Sequence, residues 1–288
     1  MDFVIKWGSL DEEAPHLPLS GYLFYGVVFA LYFAVQHLVI HIVLLFAYPG
    51  YKKMNSHDLH EYRMQWNSLI HAILATWFAA YCMLYTCPDG KTFMNDENCR
   101  LTVRNSHVWL CFFTASYLLV DTGVIIMYTG FQTPIDKQTF LHHVISFFNL
   151  YIAFWQQDFT VTIGAALLFM EISTPFICTR WLFFHHGLAG STLQNLNTVI
   201  LWITFIVGRV AVQAYLLYNF GSVWLYDTWF VRDGVPAIYK VLLVEMALAV
   251  FINILLNIYW SFLITRQLLR VIRLGSKADE TYSGDAEA

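Results

Sequence analysis

A succession of long apolar runs, at roughly 21–47, 67–86, 106–129, 140–156, 159–184, 197–220 and 237–264, sets the strongest limit on what this chain can fold into. A helix that crosses a bilayer needs about 20 consecutive, mostly apolar residues, since the hydrocarbon holds no water to satisfy an exposed backbone. All seven runs qualify or nearly qualify, the fourth being short. Only 12% of the residues are charged and 58% are hydrophobic, against about 25% charged in a soluble domain. The expected fold is all-α, a polytopic membrane protein of about seven transmembrane helices. The net charge is −4 and there is no basic run, so no nucleic-acid partner is expected.

Residues 1–20 read as a polar N-terminal segment, with only Lys6 ahead of Asp11, Glu12 and Glu13. This is not the basic start of a signal peptide, so 21–47 is expected to act as an uncleaved first transmembrane helix. The main membrane domain covers 60–270, and 271–288 read as a disordered polar tail. Only Gln156-Gln157-Asp158 separates the fourth run from the fifth, which predicts a tight helical hairpin. Pro175 should kink the fifth, because proline lacks a backbone donor and clashes one turn back.

Lys and Arg concentrate on the cytoplasmic side of membrane proteins. Lys52, Lys53 and Arg63 follow the first span; Arg266, Arg270, Arg273 and Lys277 follow the last. With seven spans these regions share one side, which puts the N-terminus in the lumen and the C-terminus in the cytoplasm. The last four basic residues are spaced by four, three and four, so they line one helical face against an anionic leaflet. The loop holding Cys87 and Cys99 is then lumenal. The two cysteines either pair as a disulfide, if the compartment is oxidising, or remain free thiols.

Ionisable groups inside the apolar runs are costly, about 2.5–3.5 kcal/mol each on insertion scales. This chain keeps several: His142, His143, Glu171, Asp121, Arg209 and Glu245, with amides and hydroxyls at Gln36, Asn67, Asn149, Ser173, Thr174, Gln213, Asn253 and Asn257. Glu245, Asn253 and Asn257 are spaced by multiples of four and share a stripe. Arg209 needs a carboxylate, and Asp121, Glu171 and Glu245 are the candidates at depth. The bland account of all these groups is a polar packing network between helices. The sharper one is a site built on the histidine pair. Adjacent helical residues point about 100° apart, so one histidine would act while the other orients it. A hairpin would set His142 and His143 opposite Glu171, a general base with its carboxylate. No metal is expected. Although imidazole suits iron, His37-x-x-x-His41 falls inside an apolar run and no HxxHH box occurs.

Phe140-Leu141-His142-His143, the segment Glu171-Ile172-Ser173-Thr174-Pro175-Phe176 and Arg209 in the next span together resemble the TLC-domain family. Trp66-Asn67-Ser68, Tyr117 to Asp121 and Asn257-Ile258-Tyr259-Trp260 fit the same pattern, so the resemblance runs over 60–270. It implies a six-helix bundle around a polar cavity, in the endoplasmic reticulum or another endomembrane. The family includes ceramide synthases, which transfer an acyl group from acyl-CoA to a sphingoid amine. The resemblance gives His142, His143 and Glu171 the catalytic places, with Asp121, Arg209, Ser173, Thr174, Pro175, Glu245 and Asn257 in the lipid-binding or polar core. This chain lacks the synthases' downstream H-D-x-x-D run and looks more like the cargo-receptor and lipid-homeostasis branch. The expected function is membrane lipid homeostasis, with membrane lipids as ligands and no cofactor. The alternatives are an N-acyltransferase using acyl-CoA and an accessory subunit bound to membrane-protein partners.

Overall fold

The computed structural model describes residues 12–14, 19–87, 89–131, 134–156, 160–218 and 237–274. Most of the N-terminal segment, the 157–159 turn of the expected hairpin, and the tail from 275 with Lys277 lie outside them. The described residues are helical almost throughout, with one isolated backbone bridge between Glu13 and Arg104.

Helix α1 (Leu19–Ala47) is followed by a 3-10 turn (Pro49–Lys53) and α2 (Ser56–Leu84). Helix α2 starts well before the apolar run, because Asn55 accepts the Asp58 N–H at 2.9 Å and caps a polar first stretch. That stretch, with His57, Asp58, His60, Glu61 and Arg63, is helical without being apolar. A short helix, α3 (Glu97–Leu101), sits in the loop before α4 (Asn105–Val124). Cys87 and Cys99 are disulfide-bonded across this loop, with Cα atoms 5.7 Å apart. The Lys91 ammonium, 2.9 Å from Asp96, holds that carboxyl below the usual carboxylate range.

Helix α4 ends in a π-helical turn (Ile125–Thr129), closed by Gly130 at φ 67°, a conformation that glycine adopts without a Cβ clash. Then come α5 (Pro134–Gln156), α6 (Thr160–Leu167), a 3-10 segment (Leu168–Ser173) and α7 (Thr174–His185). Pro175 does not bend a continuous helix. It stands in the first turn of α7, where a missing N–H costs least. The break falls just before it, as 3-10 structure in which the Thr174 N–H reaches the Glu171 carbonyl. Helix α8 (Thr192–Phe205) runs into a second π segment (Ile206–Ala211) and α9 (Val212–Leu216). The last helix, α10 (Ala237–Leu274), continues into the stretch expected as polar tail.

Six described runs are long and apolar enough to cross a membrane: Leu23–Ala47, Ser56–Leu84, Asn105–Tyr128, Thr160–His185, Thr192–Leu216 and Ala247–Ile272. This makes the chain an all-α integral membrane protein. The expected fourth span, α5, has 23 residues, but Asp136, Lys137, His142, His143 and Asn149 dilute its apolar character.

Helix α4 is the hub, packed on α1, α2, α5 and α6. Its contacts are built on small residues, Ala75 and Ala79 of α2, Ala115 of α4 and Ala165 of α6, around Phe33, Leu110 and Cys111. Small side chains let helix backbones approach, which is how bundles cohere where lipid and core are equally apolar. Leu31, Val35 and Phe46 of α1 and Phe251, Leu255 and Phe262 of α10 face outward, as lipid contact requires.

Candidate functional site

The polar groups of the middle spans gather into two adjoining clusters. The first is centred on Arg209. Its Nε donates to Ser173 Oγ and its Nη2 to Thr174 Oγ1, both at 2.9 Å. The Glu171 carboxylate lies 3.7 Å from the same guanidinium and accepts from Thr174 Oγ1 at 2.7 Å. Two irregular segments make this possible. The 3-10 turn before Pro175 aims Glu171, Ser173 and Thr174 at the π segment that carries Arg209. Gly208 lets the two backbones meet: a Cβ there would stand 2.5 Å from Ile172 Cγ2 and 3.6 Å from Met170 Cα. Beyond Arg209, Gln213 links to α10 by accepting from Asn257 Nδ2 at 2.9 Å.

The second cluster holds the histidine pair. The ring Nδ1–H of His142 donates to Asn253 Oδ1 of α10 at 2.8 Å, which leaves Nε2 with a lone pair in the neutral ring. The ring also meets Trp260 edge-on, and Trp260 Nε1 donates to Gln138. His143, one residue on, turns the other way, toward α4, and Nδ1 lies 3.4 Å from Asp121 Oδ2. That is ion-pair distance without hydrogen-bond alignment, and His143 Nδ1 and Asp121 Oδ1 both lack a hydrogen-bond partner although both residues are buried. Beside them, His71 of α2 stacks on Tyr117 with ring centroids 3.8 Å apart. Tyr117 shares a hydrogen bond with Ser68 at 2.7 Å and meets His143 edge-on.

The expected His–Glu171 contact is therefore corrected. Glu171 serves Arg209 and Thr174; the carboxylate at His143 is Asp121, and His142 is held by an amide. The reason is packing: α5 lies against α4 and α10, whereas the 3-10 turn lies against α2 and the π segment. Of the three carboxylates considered for Arg209, Glu171 is the partner. Glu245 joins neither cluster, and its Oε2 has no partner among the described residues. Pro175 acts by breaking the helix ahead of it; its carbonyl accepts from Thr179 Oγ1 at 2.7 Å, within α7 and away from both clusters. Sequence reasoning placed Asn253 in the packing network. Asn253 shares the α10 stripe with Asn257, which was the visible sign of a role; nothing in the sequence pairs it with His142. The described residues hold one group with metal-ligand spacing, His57, Asp58 and Glu61 at the start of α2, remote from both clusters.

Chemically, the arrangement couples a fixed cation, two carboxylates, and two imidazoles in different environments. His142 has a free lone pair, and the His143–Asp121 pair has unfilled hydrogen-bonding capacity.

A family model described as the TLC domain matches residues 62–266. The chain is 26% identical over 170 residues to TLC domain-containing protein 4-B of Xenopus laevis, a match covering 57% of this chain and 59% of that protein. It is 23% identical over 235 residues to TLC domain-containing protein 4 of Homo sapiens, covering 78% of this chain and 80% of that one.

Proposed function

The chain belongs to the TLC-domain family, and on that premise we propose that it acts in membrane lipid homeostasis by binding a lipid at the His143–Asp121 centre. The observation that carries this reading is the pair of unfilled polar atoms, His143 Nδ1 and Asp121 Oδ1, buried at membrane depth. A buried polar group without a partner costs about 1–3 kcal/mol. A hydroxyl or amide from a lipid would relieve that cost at both atoms, and the adjacent His142 Nε2 offers a further acceptor. The protein works in the endoplasmic reticulum or another endomembrane, with its N-terminus in the lumen and its C-terminus in the cytoplasm.

The test is lipid mass spectrometry of the purified protein, wild type against His143→Ala. A specific acyl lipid should accompany the wild type and fall about tenfold in the variant, since 1.4 kcal/mol corresponds to a factor of ten. The same lipid at the same occupancy in both would sink the reading.

A second reading rests on the same contact. A histidine beside a carboxylate can take the proton of an attacking amine, and an N-acyltransferase using acyl-CoA would need that. Asp121, instead of Glu171, would then orient the base. Ceramide-type product formed from acyl-CoA and a sphingoid amine, and lost in both His143→Ala and Asp121→Asn, would favour it. Neither lipid nor product would leave the role of accessory subunit for membrane-protein partners.

A further inference from the structure

A second concentration of polar groups lies where α1 and α2 meet the 3-10 turn that joins them, and neither cluster of the polar centre uses it. His37 and His41 are one turn apart on α1; His60 and Arg63 are three residues apart on α2, so each pair shares a helical face. Within α2, Arg63 contacts His60, and the packing of α1 on α2, which pairs Gln36 with Asn67 at 2.6 Å, sets His37 and His41 on the side of Arg63. The His60 ring is stacked on Tyr128 at 4.1 Å, and His41 pairs with the Tyr51 hydroxyl at 2.9 Å.

This is a cluster of cationic and imidazole groups without a counter-ion. Among the described residues no carboxylate forms an ion pair with Arg63. The acids near this end of α2, Asp58 and Glu61, lie beside His57. Arg63 Nε and His37 Nε2 are both buried and have no hydrogen-bond partner. A donor buried without an acceptor carries a cost, and among the described residues the half-buried Arg63 guanidinium has an imidazole and no carboxylate as partner, so something acidic belongs there. The position fits the membrane boundary. Helix α2 has 29 residues, about 44 Å at 1.5 Å per residue, against a hydrocarbon core of about 30 Å. Its first turns therefore reach the headgroup layer, next to the exposed Lys52 and Lys53. The site is just over two helical turns along α2 from His71, about 12 Å, and is independent of the polar centre.

We propose that His37, His60 and Arg63 form a binding site for a net-anionic phosphate at the membrane boundary. A guanidinium fork and imidazole N–H groups recognise phosphate oxygens by charge-assisted hydrogen bonds, and the neighbouring lysines draw such groups to the surface. The phosphate is supplied either by an anionic phospholipid headgroup or by a free phosphate.

The detergent-purified full chain is titrated with dioleoylphosphatidic acid, dioleoylphosphatidylcholine and inorganic phosphate, with the melting temperature as readout. Phosphatidic acid should raise it and phosphatidylcholine should not. An equal response to inorganic phosphate would assign the free anion as ligand, and a response to phosphatidic acid alone the lipid. Arg63→Gln should weaken binding at least tenfold, and His37→Gln should weaken it measurably, while Lys52→Gln with Lys53→Gln retains a saturable response. The proposal fails if neither phosphatidic acid nor inorganic phosphate raises the melting temperature. It also fails if Arg63→Gln responds as wild type does, or if removing the two lysines abolishes the response while Arg63→Gln does not. Should Arg63→Gln not fold, native mass spectrometry of phosphatidic acid on wild type and His37→Gln decides. Equal occupancy in the two would overturn the site.

Discussion

At the scale of single residues, Arg209 is held by one carboxylate and two hydroxyls inside a membrane bundle. Removing one partner of a buried ion pair is expensive, about 3–5 kcal/mol, because the other charge is stranded. Arg209→Met should therefore destabilise the protein by about that much, measured by thermal unfolding in detergent. Adding Glu171→Gln should recover part of the loss, whereas adding Asp121→Asn should not, since Asp121 belongs to His143. Recovery with Asp121→Asn instead would show that the pairing is wrong. Much of this centre was legible as composition: an arginine, a carboxylate and two histidines at membrane depth must find partners. Which carboxylate goes to which base was not legible. Glu171 and Asp121 are equally acidic on the page, and the choice rests on which helices touch.

At the scale of elements, the irregular segments matter more than the regular ones. Helix existence followed from apolar length. The 3-10 turn and the π segment did not, because their cause lies partly in a neighbour. Pro175 signalled a disturbance, and the structure locates it one turn earlier, where proline cannot serve the Glu171 carbonyl. Gly208 is the other half of that contact. Gly208→Val should cost about 1–3 kcal/mol by overpacking and should weaken the Arg209–Ser173 bond, visible as a lowered melting temperature. Ala211→Val, on an exposed position of the same segment, should have little effect. An equally large loss at Ala211 would mean that the segment is generally fragile and that no specific close approach exists at Gly208. In the loop between α2 and α4, Cys87→Ala should cost about 2–4 kcal/mol, and reductant should lower the melting temperature of wild type alone.

At the scale of the whole molecule, α5 decides the topology. It carries the histidine pair and, although 23 residues long, is not among the six runs apolar enough to cross. If it spans, the ends of the chain lie on opposite sides; if it does not, they share one. A glycosylation acceptor engineered into the 89–96 loop should be modified in cells, and one placed after residue 275 should not. Modification of both would overturn the proposed orientation. Class and the polar residues at depth were determined by the sequence alone, since they follow from hydropathy and the cost of charge in lipid, whereas of the seven expected spans six described runs are apolar enough to cross. Only the tertiary structure decided that Asp121 faces His143, that Asn253 holds His142, and that Glu171 answers Arg209. These are contacts between helices distant in the chain, and side-chain periodicity says which face is polar without saying which neighbour it meets.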